Sequence, residues 1–276
     1  MNSKKIIKFI KRLYKFAIDN YFISVFLASI AFVALVSFYK LFVVKPTFVY
    51  VQVKMGQGLW WASTQKPSLW FINNLKTGMV EKDLVGQPTT KVLSVRYYPW
   101  WGSNQYDVYL TMKLKVSGSK KTGKYNFKRS AIAVGAPVDF EFPSSQFSGT
   151  IIDLSTKPIK DKSSEKIVYL TKPFTYVWEY DGIKTGDKFF NGEENVVEIL
   201  DKSAGETVSV IYPYRGTINP SFSQSRRDVV IKVKLKGKVV NDQFVFAEDQ
   251  IISLGKTINL ATDNFSFTDY LVAGIE

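Results

Sequence analysis

Cysteine and histidine are both absent from the 276 residues. Without cysteine there is no thiol nucleophile, no disulfide and no thiolate zinc site. Without histidine there is no imidazole base, metal ligand or switch titrating near neutrality. Sortase-like, papain-like and Ser-His-Asp chemistry are thereby excluded. No metal and no cofactor is expected. Acidic residues are also in short supply, 24 against 37 basic ones, a net charge of +13. Lysine supplies most of the excess. Sequence-specific nucleic-acid readers favour the arginine fork, so no nucleic-acid partner is expected. A basic surface suits anionic lipid or an anionic wall polymer instead.

Charge is missing altogether between Tyr21 and Tyr39, and apolar residues resume at Leu41 to Val44. About 20 residues of helix cross a hydrocarbon core roughly 30 Å thick, so residues 21–44 are expected to span a bilayer. Lys4, Lys5, Lys8, Lys11, Arg12 and Lys15 precede the span against Asp19 alone. The positive-inside rule then places residues 1–20 in the cytoplasm and the rest outside it. The apolar run exceeds an ordinary signal-peptide core and no A-x-A-like cleavage site follows, so an uncleaved signal anchor in the plasma membrane is expected. In the tail, Ile6, Ile7, Phe9, Ile10, Leu13, Tyr14 and Ala17 recur at helical spacing among the lysines. That pattern reads as a topology signal or as a basic amphipathic helix lying on anionic lipid.

From Pro46 onward, short alternating β-branched and aromatic runs are broken by Gly, Pro, Asn and Ser. The fold expected is mainly β, with one short helix over Ser68 to Leu75. The chain also repeats itself. Asp107 to Lys115 reads like Asp228 to Lys236, Leu75-Lys76-Thr77-Gly78 like Ile183-Lys184-Thr185-Gly186, and Ile132 to Gly135 like Ile252 to Gly255. Two tandem, similar small β barrels or sandwiches are expected, over residues 46–154 and 167–276. The polar stretch 155–166 would link them.

The block from Leu75 through Leu154 is similar to an uncharacterised bacterial family, the domain of unknown function numbered forty-three thirty. Leu75-Lys76-Thr77-Gly78, Val134 to Phe140 and Phe147 to Ile152 carry the resemblance. It implies an N-terminal anchor and a small extracytoplasmic β domain, and no activity. Where that family shows Gly-Asp, the first copy has Gly78-Met79 and the second keeps Gly186-Asp187.

Chemistry-bearing motifs are weak. Gly118-Ser119-Lys120-Lys121-Thr122-Gly123-Lys124 mimics a phosphate loop but ends on Tyr125 in place of the magnesium-holding hydroxyl, and it joins two strands. Asp139/Glu141, Glu193/Glu194 and Glu248/Asp249 are acid pairs, and a hydrolase needs two carboxylates facing across a cleft. A Ser-Lys dyad lacks the Ser-Met pair of membrane signal peptidases. Aromatics are the better lead. Trp60, Trp61, Trp70, Trp100 and Trp101, five of six tryptophans, fall in the first copy, with Tyr97 and Tyr98 beside the last pair. Neighbours on a strand face opposite ways, so one Trp of each pair is expected outside the core. Trp60, Trp61, Tyr97, Tyr98, Trp100 and Trp101 form the candidate binding surface, for an anionic wall polymer or an envelope protein. The reading is a non-catalytic binding or scaffolding protein of the bacterial envelope. The alternatives are an adaptor subunit of an export complex, similar to membrane-fusion proteins, and, further off, a hydrolase.

Overall fold

The computed structural model describes residues 18–42, 46–56, 66–100, 105–119, 122–160, 163–211 and 219–276. The tail pattern at residues 6–17 lies outside them, apart from which the chain divides into an N-terminal unit and a unit from Phe48 to Glu276. The first unit holds α1 (Tyr21–Phe42), 22 residues and apolar on all sides. At 1.5 Å per residue it is about 33 Å long. Its stretch from Tyr21 to Tyr39 is long and apolar enough to cross a membrane, and none of it is buried.

The second unit is built of strands. In order they are β1 (Thr47–Met55), the short helix α2 (Leu69–Ile72), β2 (Val80–Lys82), β3 (Pro88–Pro99), β4 (Tyr106–Ser119), β5 (Lys124–Phe127), β6 (Ser130–Ile132), β7 (Pro137–Phe142) and β8 (Ser145–Ser155). There follow β9 (Ser163–Tyr176), the helix α3 (Val177–Gly182), β10 (Lys188–Phe190), β11 (Asn195–Ile211), β12 (Asn219–Val240), β13 (Gln243–Phe246), β14 (Gln250–Ile251), β15 (Thr257–Ala261) and β16 (Ser266–Ile275). Where a linker over 155–166 is expected, β8 runs to Ser155 and β9 starts at Ser163.

Two curled sheets result. One has the order β2-β3-β4-β1-β8-β7, with β5 on β4 and β6 on β5. The other has the order β10-β11-β12-β9-β16-β15, with β13 on β12 and β14 on β13. Alternation decides which faces are inside. Val108, Leu110, Met112, Leu114 and Val116 of β4 are buried, as are Val138, Phe140 and Phe142 of β7. Irregularities fall between Val92 and Ser94 in β3 and between Ile199 and Asp201 in β11. The backbone N–H of Gly78 donates to Val92 O, and that of Gly186 to Ile199 O, at 2.9 and 2.8 Å.

A side chain joins the two ends of the first sheet. Glu81 of β2 is 3% exposed and accepts the Glu141 N–H of β7 at 3.0 Å. Thr90 Oγ1 donates to it at 2.8 Å, and Lys128 pairs with it. In the second sheet a backbone bond serves, Asp263 N–H to Lys188 O at 2.9 Å.

The two sheets have separate cores, but Tyr98 and Tyr109 belong to the second sheet's core although they lie on β3 and β4. Tyr109 points away from the first core, between Val108 and Leu110, and is nonetheless 2% exposed. The second sheet covers it.

Candidate binding surface

Where the sheets meet, polar groups interlock. The Tyr97 N–H donates to Asn191 O at 2.8 Å, and Asn191 Nδ2 donates to the Tyr98 hydroxyl at 3.2 Å. Asn191 Oδ1 accepts the N–H groups of Glu193 and Glu194, both at 3.0 Å. Between them Gly192 has φ +103°, and a Cβ there would stand 2.5 Å from Val95 O. Only glycine allows this approach. Aromatic edges close the gap, Tyr98 against Phe246 at 5.9 Å and Tyr97 against Phe189 at 6.2 Å.

Charges surround this seam. Glu248 sits at a left-handed position, φ +73°, in the turn between β13 and β14. Its carboxylate receives Arg96 Nη1 at 3.1 Å, Lys238 Nζ at 2.6 Å and Gln52 Nε2 at 3.1 Å. Arg96 also approaches Glu193, at 3.8 Å, and Lys236 pairs with Glu194. Lys54 bridges Asp249 at 3.2 Å and Asp107 at 3.4 Å. An open groove of about 410 Å³ runs along the seam, lined among others by Arg96, Tyr98, Asn191, Glu194, Lys236 and Glu248. Its cations and carboxylates neutralise one another. The acid pairs Glu193/Glu194 and Glu248/Asp249 are thus held by lysine and arginine, and Asp139 accepts the Ser148 hydroxyl on an exposed strand face. Among the described residues no group of His, Cys, Asp and Glu is arranged to hold a metal ion. The phosphate-loop mimic is a hairpin, with Ser119 registered opposite Lys124.

The candidate residues divide. Trp60, Trp61 and Trp101 lie outside the described residues. Trp100 is 45% exposed at the end of β3, with Lys66 Nζ above its indole. Lys66 also donates to both Asp107 oxygens at 3.0 Å. Burial pushes the Lys66 ammonium pKa down, and the Asp107 carboxylate opposes that shift. Trp100 thus borders the network that crosses the seam through Asp107, Lys54 and Asp249. Tyr97 is half-buried and packs edge-on against Tyr106 at 5.7 Å. Tyr98 does not belong to an exposed surface: it is 8% exposed, because the second sheet packs onto the outward face of β3. Burial pushes its hydroxyl pKa up to about 12. The Tyr109 and Tyr270 hydroxyls are pushed up as well, also by burial.

A second aromatic surface was not read from the sequence. On α3, Trp178 is 65% exposed and stacks on Tyr176 at 5.9 Å with 19° between planes. The Arg226 guanidinium lies 3.2 Å from the centre of the Tyr176 ring and donates to Phe174 O at 2.8 Å. Phe174 itself is 53% exposed at φ +55°, with its N–H on Asp228 Oδ1 at 3.1 Å. On α2, Trp70 is 70% exposed. A signal for both was available. Trp70 stands eight residues before Gly78, and Trp178 eight before Gly186. Comparison with known protein-family models, curated proteins and solved structures finds no match to this chain.

Proposed function

We propose that this protein is a single-pass, membrane-anchored binding or scaffolding protein of the bacterial cell envelope, without catalytic activity of its own. Its N-terminus is cytoplasmic and its β body extracytoplasmic. α1 supports the anchor, and the lysine-rich residues before it support the orientation. The observation that carries the binding reading is a contrast within the body. The seam carboxylates are engaged by cations, whereas the indoles of Trp70 and Trp178 are 70% and 65% exposed. Exposed indoles serve recognition, and they stack well on sugar rings or anchor a protein partner.

The body is also a duplicated module in this reading. The second strand order is the first with eight added to every number. The irregularities at Leu93 and Leu200, the Gly78 and Gly186 bonds and the two helix tryptophans fall at corresponding places. The two modules run from residue 46 to 155 and from residue 163 to 276. The resemblance over Leu75 to Leu154 points the same way.

The ligand class that fits is an anionic wall polymer. Without the first 20 residues the chain keeps 31 basic and 23 acidic residues, and the tryptophans supply short-range affinity. Full-length protein in zwitterionic nanodiscs should co-sediment with purified cell wall at low salt and release as salt rises. Trp70→Ala with Trp178→Ala should weaken that binding about tenfold, which is about 1.4 kcal/mol, with the melting temperature kept. Binding unchanged by the pair, or no sedimentation of the wild type, sinks the polymer reading. The export-adaptor alternative shares the anchor and the β body and has no separate observation in its favour.

A further inference from the structure

β9 breaks step near its end. Arg227 registers with Thr175 and Val229 with Lys172, so Pro173 and Phe174 together oppose Asp228. A bulge of this kind re-aims the side chains around it. Phe174 stands at φ +55°, an outlier for a bulky residue. Two bonds hold it there. Its N–H donates to Asp228 Oδ1 at 3.1 Å, and its carbonyl accepts Arg226 Nη1 at 2.8 Å. Thr175 is 1% exposed, and the residues on either side of it, Phe174 and Tyr176, face outward.

The bulge presents a flat step. Arg226 of β12 fixes the Tyr176 ring, and the Trp178 indole lies on that ring with its planes nearly parallel and most of its surface open. Asp181 is exposed three residues further along α3. Side chains at that spacing are neighbours, about 5–6 Å apart at Cβ. Glu179 is engaged by Lys172 at 3.4 Å, whereas among the described residues the Asp181 carboxylate has no hydrogen-bond or ion-pair partner. The step therefore offers an apolar face with an acceptor-only group beside it. An anionic ligand would meet Asp181, and a cationic one would meet Arg226. What matches is uncharged, flat and apolar on one side, and rich in O–H donors at its edge. Trp70 has no such setting: Ser68 stands where Trp178 has Tyr176, and Asn73 where it has Asp181.

We infer that Trp178 and Asp181 seat an uncharged sugar ring, a pyranose whose C–H face lies on the indole and whose neighbouring hydroxyls donate to the carboxylate. This rests on the wall-polymer reading above and names the part of the polymer that is gripped. Net positive charge draws in the polymer's anionic groups from a distance, and the seat holds one of its neutral rings.

Two uncharged oligosaccharides, cellotetraose and chitotetraose, are titrated calorimetrically into the full-length protein in zwitterionic nanodiscs. At least one should bind, with an affinity that changes less than about twofold from low to high salt, because no charge is screened. Trp178→Ala should weaken it about tenfold and Asp181→Asn about fivefold, with the melting temperature kept. Leu254→Ala, exposed in the turn between β14 and β15, should leave it unchanged. Should Trp178→Ala fail to fold, Asp181→Asn decides alone. Binding of neither sugar, binding indifferent to both substitutions, or an affinity that falls with salt overturns the inference. So does Trp178-dependent binding to anionic vesicles that the sugars do not compete. Sedimentation with purified cell wall separates the two readings: wall binding without oligosaccharide binding sinks the seat alone, whereas oligosaccharide binding without wall binding sinks the polymer and keeps the seat.

Discussion

Gly192 is the residue on which the seam turns. Its positive φ and the 2.5 Å from an added Cβ to Val95 O make two demands that no other residue meets. Gly186 has a similar φ, +87°, with nothing within 4 Å. Gly192→Ala should therefore cost about 2–4 kcal/mol and Gly186→Ala about 1 kcal/mol, read from denaturant midpoints. Equal costs mean that the backbone conformation matters and the close approach does not. Tyr98 supplies a pH test. Its hydroxyl is held to about 12 in the folded protein, against about 10 in the unfolded chain. The folded state then binds the extra proton between those values. The associated stability is intact below pH 10 and is lost as pH rises toward 12, by up to about 1.4 kcal/mol per pH unit. Tyr98→Phe should flatten the alkaline fall in denaturant midpoint. A fall of the same slope in that variant excludes Tyr98 as its source.

At the scale of elements, strands were legible where one face is wet and the other dry. β4 and β7 follow from their alternation, and α2 from the Ser68 to Leu75 pattern, though it spans only Leu69–Ile72. Long-range coverage was not legible. Tyr109 occupies an outward position of β4, and the second sheet's core buries it, with its hydroxyl donating to Asp249 140 residues later. Tyr98 misled for the same reason. Glu81 gave no sign of joining β2 to β7, since a lone acid in a strand resembles any solvated one. Trp178 stands apart from the other five tryptophans in the sequence, and only its spacing of eight residues from Gly186, the spacing of Trp70 from Gly78, signals it. These contacts also bear on the second sheet by itself. Residues 163–276 expressed alone should fold as β structure but leave Phe189 and Phe246 uncovered and Glu248 without Arg96 and Gln52. We expect a cooperative melt about 5–10 °C below that of the full-length protein. Melting at the same temperature means that the seam adds no stability.

For the whole molecule, what matters is the order in which the chain visits its parts. The helix α1 leads within a few residues into β1, and β1 is interior to its sheet, flanked by β4 and β8. β9, which follows β8 in the chain, is likewise interior, between β12 and β16. Antiparallel hydrogen bonds lie across the strand direction. A pull arriving along β1 therefore loads its ladders in shear, many bonds together, and does not peel them one at a time. β1 and β9 are therefore the strands that resist being drawn lengthwise out of their sheets, since each is held by a ladder on both sides.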